Sequence, residues 1–145
     1  MAVAIKRVYE LPSPHDGVRV LVDRLWPRGL TKEAAALDAW LKDLAPSDDL
    51  RKWYHAHPEQ WSKFRERYLK ELAADKAAEA LHQLYEMYDP HRNLTLLFAS
   101  RELEHNNALV LKQLLEGDRK PPKGTGPARA ASSKGARAAV LRRQG

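Results

Sequence analysis

The chain has 145 residues, a formal net charge of +6 and no cysteine. That length supports a single ordinary domain, and the missing cysteine excludes disulfides, thiolate nucleophiles, sulfur-ligated zinc and iron–sulfur clusters. No apolar run approaches the roughly 18–20 residues that cross a bilayer, and MAVAIKRVYE is no hydrophobic leader, so a cytoplasmic protein without a membrane partner is expected.

In chain order, Ala4–Tyr9 reads as a first strand, followed by a turn-rich loop through Pro12, Pro14, Asp16 and Gly17. Val18–Asp23 is the strongest strand signal. Its near-continuous branched apolar content predicts burial on both faces of a sheet covered by helices. Trp26 precedes Pro27 and is pushed away from helical geometry, so Leu25–Leu30 is expected to be a structured loop after a central strand. Thr31 is placed to cap a short helix over Lys32–Ala36. A second helical piece is expected at Leu37–Leu44, with a short strand around Asp38–Lys42 as the alternative.

Ser47 is an N-cap candidate, with Asp48 and Asp49 in the first turn of a helix reaching about Ala56. Pro58 starts the next helix, where Trp61, Phe64, Tyr68 and Leu72 form one apolar stripe. A further helix covers Lys76–Tyr88, and Leu94–Ala99 is a buried strand. Leu103–Glu116 is expected to close the domain as a helix capped by Ser100, with Leu103, Val110, Leu111 and Leu114 facing inward and Gly117 just beyond. Strands separated by helices predict an α/β fold, a small and mostly parallel sheet flanked by helices with Rossmann-like or rhodanese-like layering.

The excess charge lies at the C-terminal end. Residues 1–118 hold 17 basic and 19 acidic residues, whereas residues 119–145 hold eight basic residues and no acid. Rich in proline, glycine and alanine, 119–145 is expected to be a disordered basic tail beyond a single domain at 1–118. Such a tail can bind nucleic acid weakly and without sequence preference, and it has no aromatic residue for base stacking.

In open α/β sheets, ligands bind at the carboxyl ends of the strands. Asp23, Arg24, Trp26 and Arg28 therefore form a candidate anion pocket, because the planar guanidinium matches phosphate or carboxylate. The competing reading is structural, with Asp23 paired to an arginine and Trp26 in the core. Arg101, His105 and Asn106 follow the last strand and face the same end. Asn107 is an unusually polar choice near an apolar stripe. Arg51 and His55 share a helix face, and Arg65 is an additional candidate. His55 and His57 lack the companions of a recognised metal site, so no metal and no cofactor is expected. No GxGxxG, Walker A, HExxH or GxSxG pattern is present.

Lys6-Arg7-Val8-Tyr9, the run Gly17-Val18-Arg19-Val20-Leu21-Val22-Asp23-Arg24-Leu25-Trp26-Pro27-Arg28-Gly29-Leu30, Trp40-Leu41-Lys42, Ala45-Pro46-Ser47, Leu50-Arg51-Lys52-Trp53, Phe64-Arg65, Tyr68 and His105-Asn106 together resemble a known family. It is the YeaO-like branch of the uncharacterised domain family 488, a domain of unknown function, and the likeness covers about residues 3–116. The resemblance implies a small prokaryotic α/β domain whose recurrent polar residues correspond to Asp23, Arg24, Arg28, Lys42, Ser47, Arg51, Arg65, His105 and Asn106. It supplies no catalytic roles. Longer relatives look distantly like rhodanese folds, but the thiolate of that chemistry is absent here.

The leading expectation is binding of a small anionic or phosphate-bearing ligand at loop 23–29. Arg24 and Arg28 would hold the anion, and His105 or Asn106 would contact the discriminating group. Whether the protein is an enzyme stays open, since hydrolysis would need water activated by Asp23, Glu104 or His105. The alternatives are a nucleic-acid-associated regulator acting through the tail, and a structural or protein-interaction domain. The sequence leaves the oligomeric state open.

Overall fold

The computed structural model describes residues 2–117, so the predicted tail lies outside the described residues. Four strands, β1 (Val3–Arg7), β2 (Val18–Leu21), β3 (Ala39–Trp40) and β4 (Leu94–Phe98), form one sheet in the order β1-β4-β2-β3. Every pairing is parallel, with Val3 and Val18 both opposite Leu94, and Leu21 opposite both Leu97 and Trp40. All five residues of β4 are buried, as a strand flanked on both edges requires.

The period of two along these strands sorts the side chains onto two faces. One face carries Val3, Val20, Val22, Leu94, Leu96 and Phe98 into the main core. There they meet four helices: α2 (Asp48–Ala56), α3 (Trp61–Leu72), α4 (Asp75–Met87) and α5 (Asn107–Glu116). The predicted α3 stripe holds, with Phe64, Tyr68 and Leu72 buried and Trp61 half-buried. Thr31 and Ser47 cap α1 (Lys32–Ala35) and α2 through the amides of Ala34 and Leu50.

The opposite face is covered by loops and the single turn α1. Val8, Leu21 and Leu97 form a second small core with Trp26, Leu30, Leu37, Trp40 and Ala99. The rest of this face is polar. Arg19, inside the run read as apolar, is buried and donates to Asp16 and to the carbonyls of Ala35 and Ala36. Lys6 holds the same carboxylate at 3.1 Å. The connection from β1 to β2 therefore crosses over β4 as residues 8–17 without a long helix. Thr95 Oγ1 donates to the Asp16 carbonyl at 2.7 Å to pin it down.

Several boundaries differ from expectation: α3 starts at Trp61 rather than Pro58, β1 and β2 end two residues early at Arg7 and Leu21, and two stretches differ more deeply. Leu37–Leu44 is not helical: Ala39 and Trp40 pair with Val20 and Leu21, and a 3-10 turn follows at Lys42–Leu44. Edge pairing wins there because it lets Trp40 pack edge-on against Trp26, with ring centroids 5.5 Å apart. The last helix starts at Asn107 rather than Leu103. Asn106 caps it by accepting the Leu109 amide at 3.0 Å, while Ser100 accepts only the Glu102 amide and Leu103 is exposed. Within α5, Leu115 is fully buried while the expected Leu114 packs at the margin.

Candidate site at the carboxyl ends of β2 and β4

Asp23 lies two residues past β2 and is half-buried. One carboxylate oxygen accepts the Ala99 amide at 2.8 Å, just past β4, and the other accepts the side-chain amide of Asn107 at 3.3 Å. Asn107 also donates to the Val22 carbonyl, which explains a polar residue on the inner face of α5. The Trp40 indole donates to the Asp23 carbonyl at 2.7 Å. Burial pushes the Asp23 carboxyl above its ordinary value, against the opposing pull of the Ala99 amide, Asn107 and the Arg51 charge. With both oxygens engaged, Asp23 ties the strand ends together.

Arg24 and Arg51 border this tie. The Arg24 guanidinium donates to the Ala45 carbonyl at 3.2 Å, two residues before the Ser47 cap. Arg51 stands in the first turns of α2, exposed, with a 3.5 Å contact to Asp48. The Arg28 carbonyl accepts the Tyr9 hydroxyl, two residues beyond β1. The loop between Arg24 and Arg28 is anchored by Trp26, whose indole donates to the Leu30 carbonyl at 2.6 Å. Trp26 thus belongs to the second core.

Beside Asn107, the exposed segment 100–105 curls back on itself. Glu102 accepts the amides of Glu104 and His105, which hold its carboxyl below the ordinary range. The His105 ring stacks on Trp61 with centroids 4.8 Å apart, and the Tyr54 hydroxyl donates to the His105 carbonyl. Tyr54 and Trp61 were missed as site residues because their helical spacing reads equally as core.

The family model described as the inactive DUF488-N3 subclade matches residues 2–134. The chain belongs to the DUF488 family. Uncharacterized protein Rv3073c of Mycobacterium tuberculosis is 43% identical over 115 residues, covering 79% of this chain and 94% of that protein. Uncharacterized protein YeaO of Escherichia coli is 41% identical over 116 residues, covering 79% and 97%. No solved structure matches the chain.

The remaining candidates of this DUF488 domain are spread out. Lys42 lies over the Trp40 ring at 4.7 Å, and Arg65 donates to Gln113 on α5. Asn106 is buried and spent on the helix cap, its amide donating to the Glu102 carbonyl. Arg101 is exposed. His57 is stacked on Trp53 and bonded to its carbonyl, whereas His55 is exposed.

Proposed function

We propose that this domain binds a small phosphate-bearing anion at the carboxyl ends of β2 and β4, with Arg24 and Arg51 as the principal cationic contacts. The observation that carries this reading is that the Arg51 charge acts on Asp23 at the strand ends, where Arg24 follows Asp23 in the chain and reaches the Ala45 carbonyl. The Arg51 ion pair with the exposed Asp48 carboxylate is worth at most about 1 kcal/mol, so an incoming anion competes easily. The family description as an inactive subclade favours binding over catalysis.

The extent of the likeness to YeaO supports placing the chain in the YeaO-like branch. In the order β1-β4-β2-β3 the first two strands are not neighbours, unlike the doubly wound nucleotide-binding sheets, which favours rhodanese-like over Rossmann-like layering. A cytoplasmic setting suits a chain without cysteine, and among the described residues no helix is long and apolar enough to cross a membrane.

Thermal unfolding of the full chain with phosphate, sulfate, ribose 5-phosphate and small carboxylates tests the anion reading. A ligand at 100 times its Kd adds about 2.7 kcal/mol to the folded state. The expected result is a saturable rise for a phosphate-bearing compound, lost in Arg51→Ala, reduced in Arg24→Ala and kept in Arg28→Ala. No rise with any anion overturns the reading and leaves a structural or protein-interaction role.

One observation favours a second reading. Eight basic residues and no acid in 119–145, beside an otherwise slightly acidic chain, suit weak contact with nucleic acid.

A further inference from the structure

A run of rings leads from the core to the surface beside the anion site. Tyr68 is fully buried, Phe64 packs on it at 5.7 Å, Trp61 stacks on Phe64 at 5.7 Å, and His105 stacks on Trp61 at 4.8 Å and 15°. Tyr54 backs the same run, 4.3 Å from Phe64. The last ring is exposed, yet it is not loose. The His105 amide is held by Glu102, its carbonyl by the Tyr54 hydroxyl, and one ring face by Trp61.

An exposed histidine ordinarily loses rotamer entropy when it binds. This one has its backbone held at the amide and carbonyl and one ring face on Trp61, so a further planar ring can stack on it at a reduced ordering cost. Arg51 and Tyr54 stand three residues apart on α2, about 4.5 Å along its axis, so Arg51 neighbours the tyrosine whose hydroxyl holds the His105 carbonyl.

We infer that the exposed face of His105, backed by Trp61, stacks the base of a nucleotide whose phosphate is held by Arg51 and Arg24. This deepens the anion reading above and rests on it. Stacking on an aromatic side chain is tolerant of base identity, so the class is a nucleoside phosphate rather than one base.

Calorimetric titration of the full chain with AMP, ribose 5-phosphate and single-stranded tetra-adenylate tests the assignment. AMP is expected to bind about tenfold more tightly than ribose 5-phosphate, and His105→Ala to remove that preference while His105→Phe keeps it. In the unsubstituted protein, the His105 ring protons should move upfield in NMR spectra with AMP and stay in place with ribose 5-phosphate. That readout needs no variant to fold. Binding of the tetranucleotide without AMP, still lost in His105→Ala, keeps the stacking site and assigns it to a strand.

Equal affinity for AMP and ribose 5-phosphate, both lost in Arg51→Ala, overturns the stacking and leaves the anion site standing. An AMP preference untouched by His105→Ala also overturns it. No binding of any of the three compounds overturns both readings together.

Discussion

The Asp23 carboxylate accepts the Ala99 amide at 2.8 Å, joining the ends of β2 and β4 beyond the last ladder bond between Val22 and Leu97. The same carboxylate takes the Asn107 amide from the start of α5. One short side chain therefore fixes three segments at the end of the sheet where the candidate site lies.

Asp23→Ala leaves the Ala99 amide and one Asn107 donor without this acceptor and should cost about 2–3 kcal/mol in urea unfolding. Asp23→Asn keeps one acceptor and should cost less. Because burial raises the folded carboxyl above its unfolded value, its stabilising contribution is complete below the unfolded value and declines as pH rises through the folded one. Unfolding of wild type and Asp23→Asn across that range should show wild type losing ground with rising pH.

Asp16 behaves in the opposite sense. Burial alone would raise its carboxyl, but the Ser13 amide, Lys6 and Arg19 outweigh that and hold it low. Its contribution is present above the unfolded value and lost as pH falls through the lowered folded value. Asp16→Ala leaves the buried Arg19 without its carboxylate and should cost about 3–5 kcal/mol at neutral pH, read as a lower urea midpoint.

Ala36 adopts a left-handed conformation, φ 49°, at the end of α1, and its carbonyl accepts from Arg19. Ala36→Gly relieves the steric cost while keeping both Arg19 acceptors, and should stabilise the fold by about 1 kcal/mol in thermal unfolding. Gly17→Ala should do the reverse. At φ 64° a Cβ there would overlap the Asn93 carbonyl that receives the Val18 amide, so soluble folded yield should fall sharply.

Replacing the eight basic residues of 119–145 with serine in the full chain tests the nucleic-acid reading. Duplex DNA affinity of the parent should fall with salt by about 0.9 log units per neutralised phosphate for each log unit of salt. The substituted chain should show neither the affinity nor the slope, as measured by fluorescence anisotropy, while phosphate-dependent thermal shifts persist.

Local signals in the sequence were enough where one side of an element decides its state. LTLLF has no alternative but a buried strand, the spacing of Phe64, Tyr68 and Leu72 allows one helical face, and Thr31 and Ser47 announce their caps through residue type. The family likeness was legible too, in the run through Asp23, Arg24, Trp26, Pro27 and Arg28.

Placement across the sheet was decided only in three dimensions. Arg19 reads as a strand residue, but its burial depends on Asp16 and on the Ala35 and Ala36 carbonyls, which the chain brings from both sides. For Leu37–Leu44 the sequence left a helix and a short strand open, and pairing of Ala39 and Trp40 with the edge of β2 decided for the strand. Arg24 and Arg28 are four residues apart in sequence, yet the Arg24 guanidinium reaches the Ala45 carbonyl while the Arg28 carbonyl takes the Tyr9 hydroxyl. The sequence by itself determined most of the elements and the residue types at the strand ends. Tertiary structure decided which of those side chains are spent holding the ends together and which remain open to a ligand, because that division depends on partners distant in the chain.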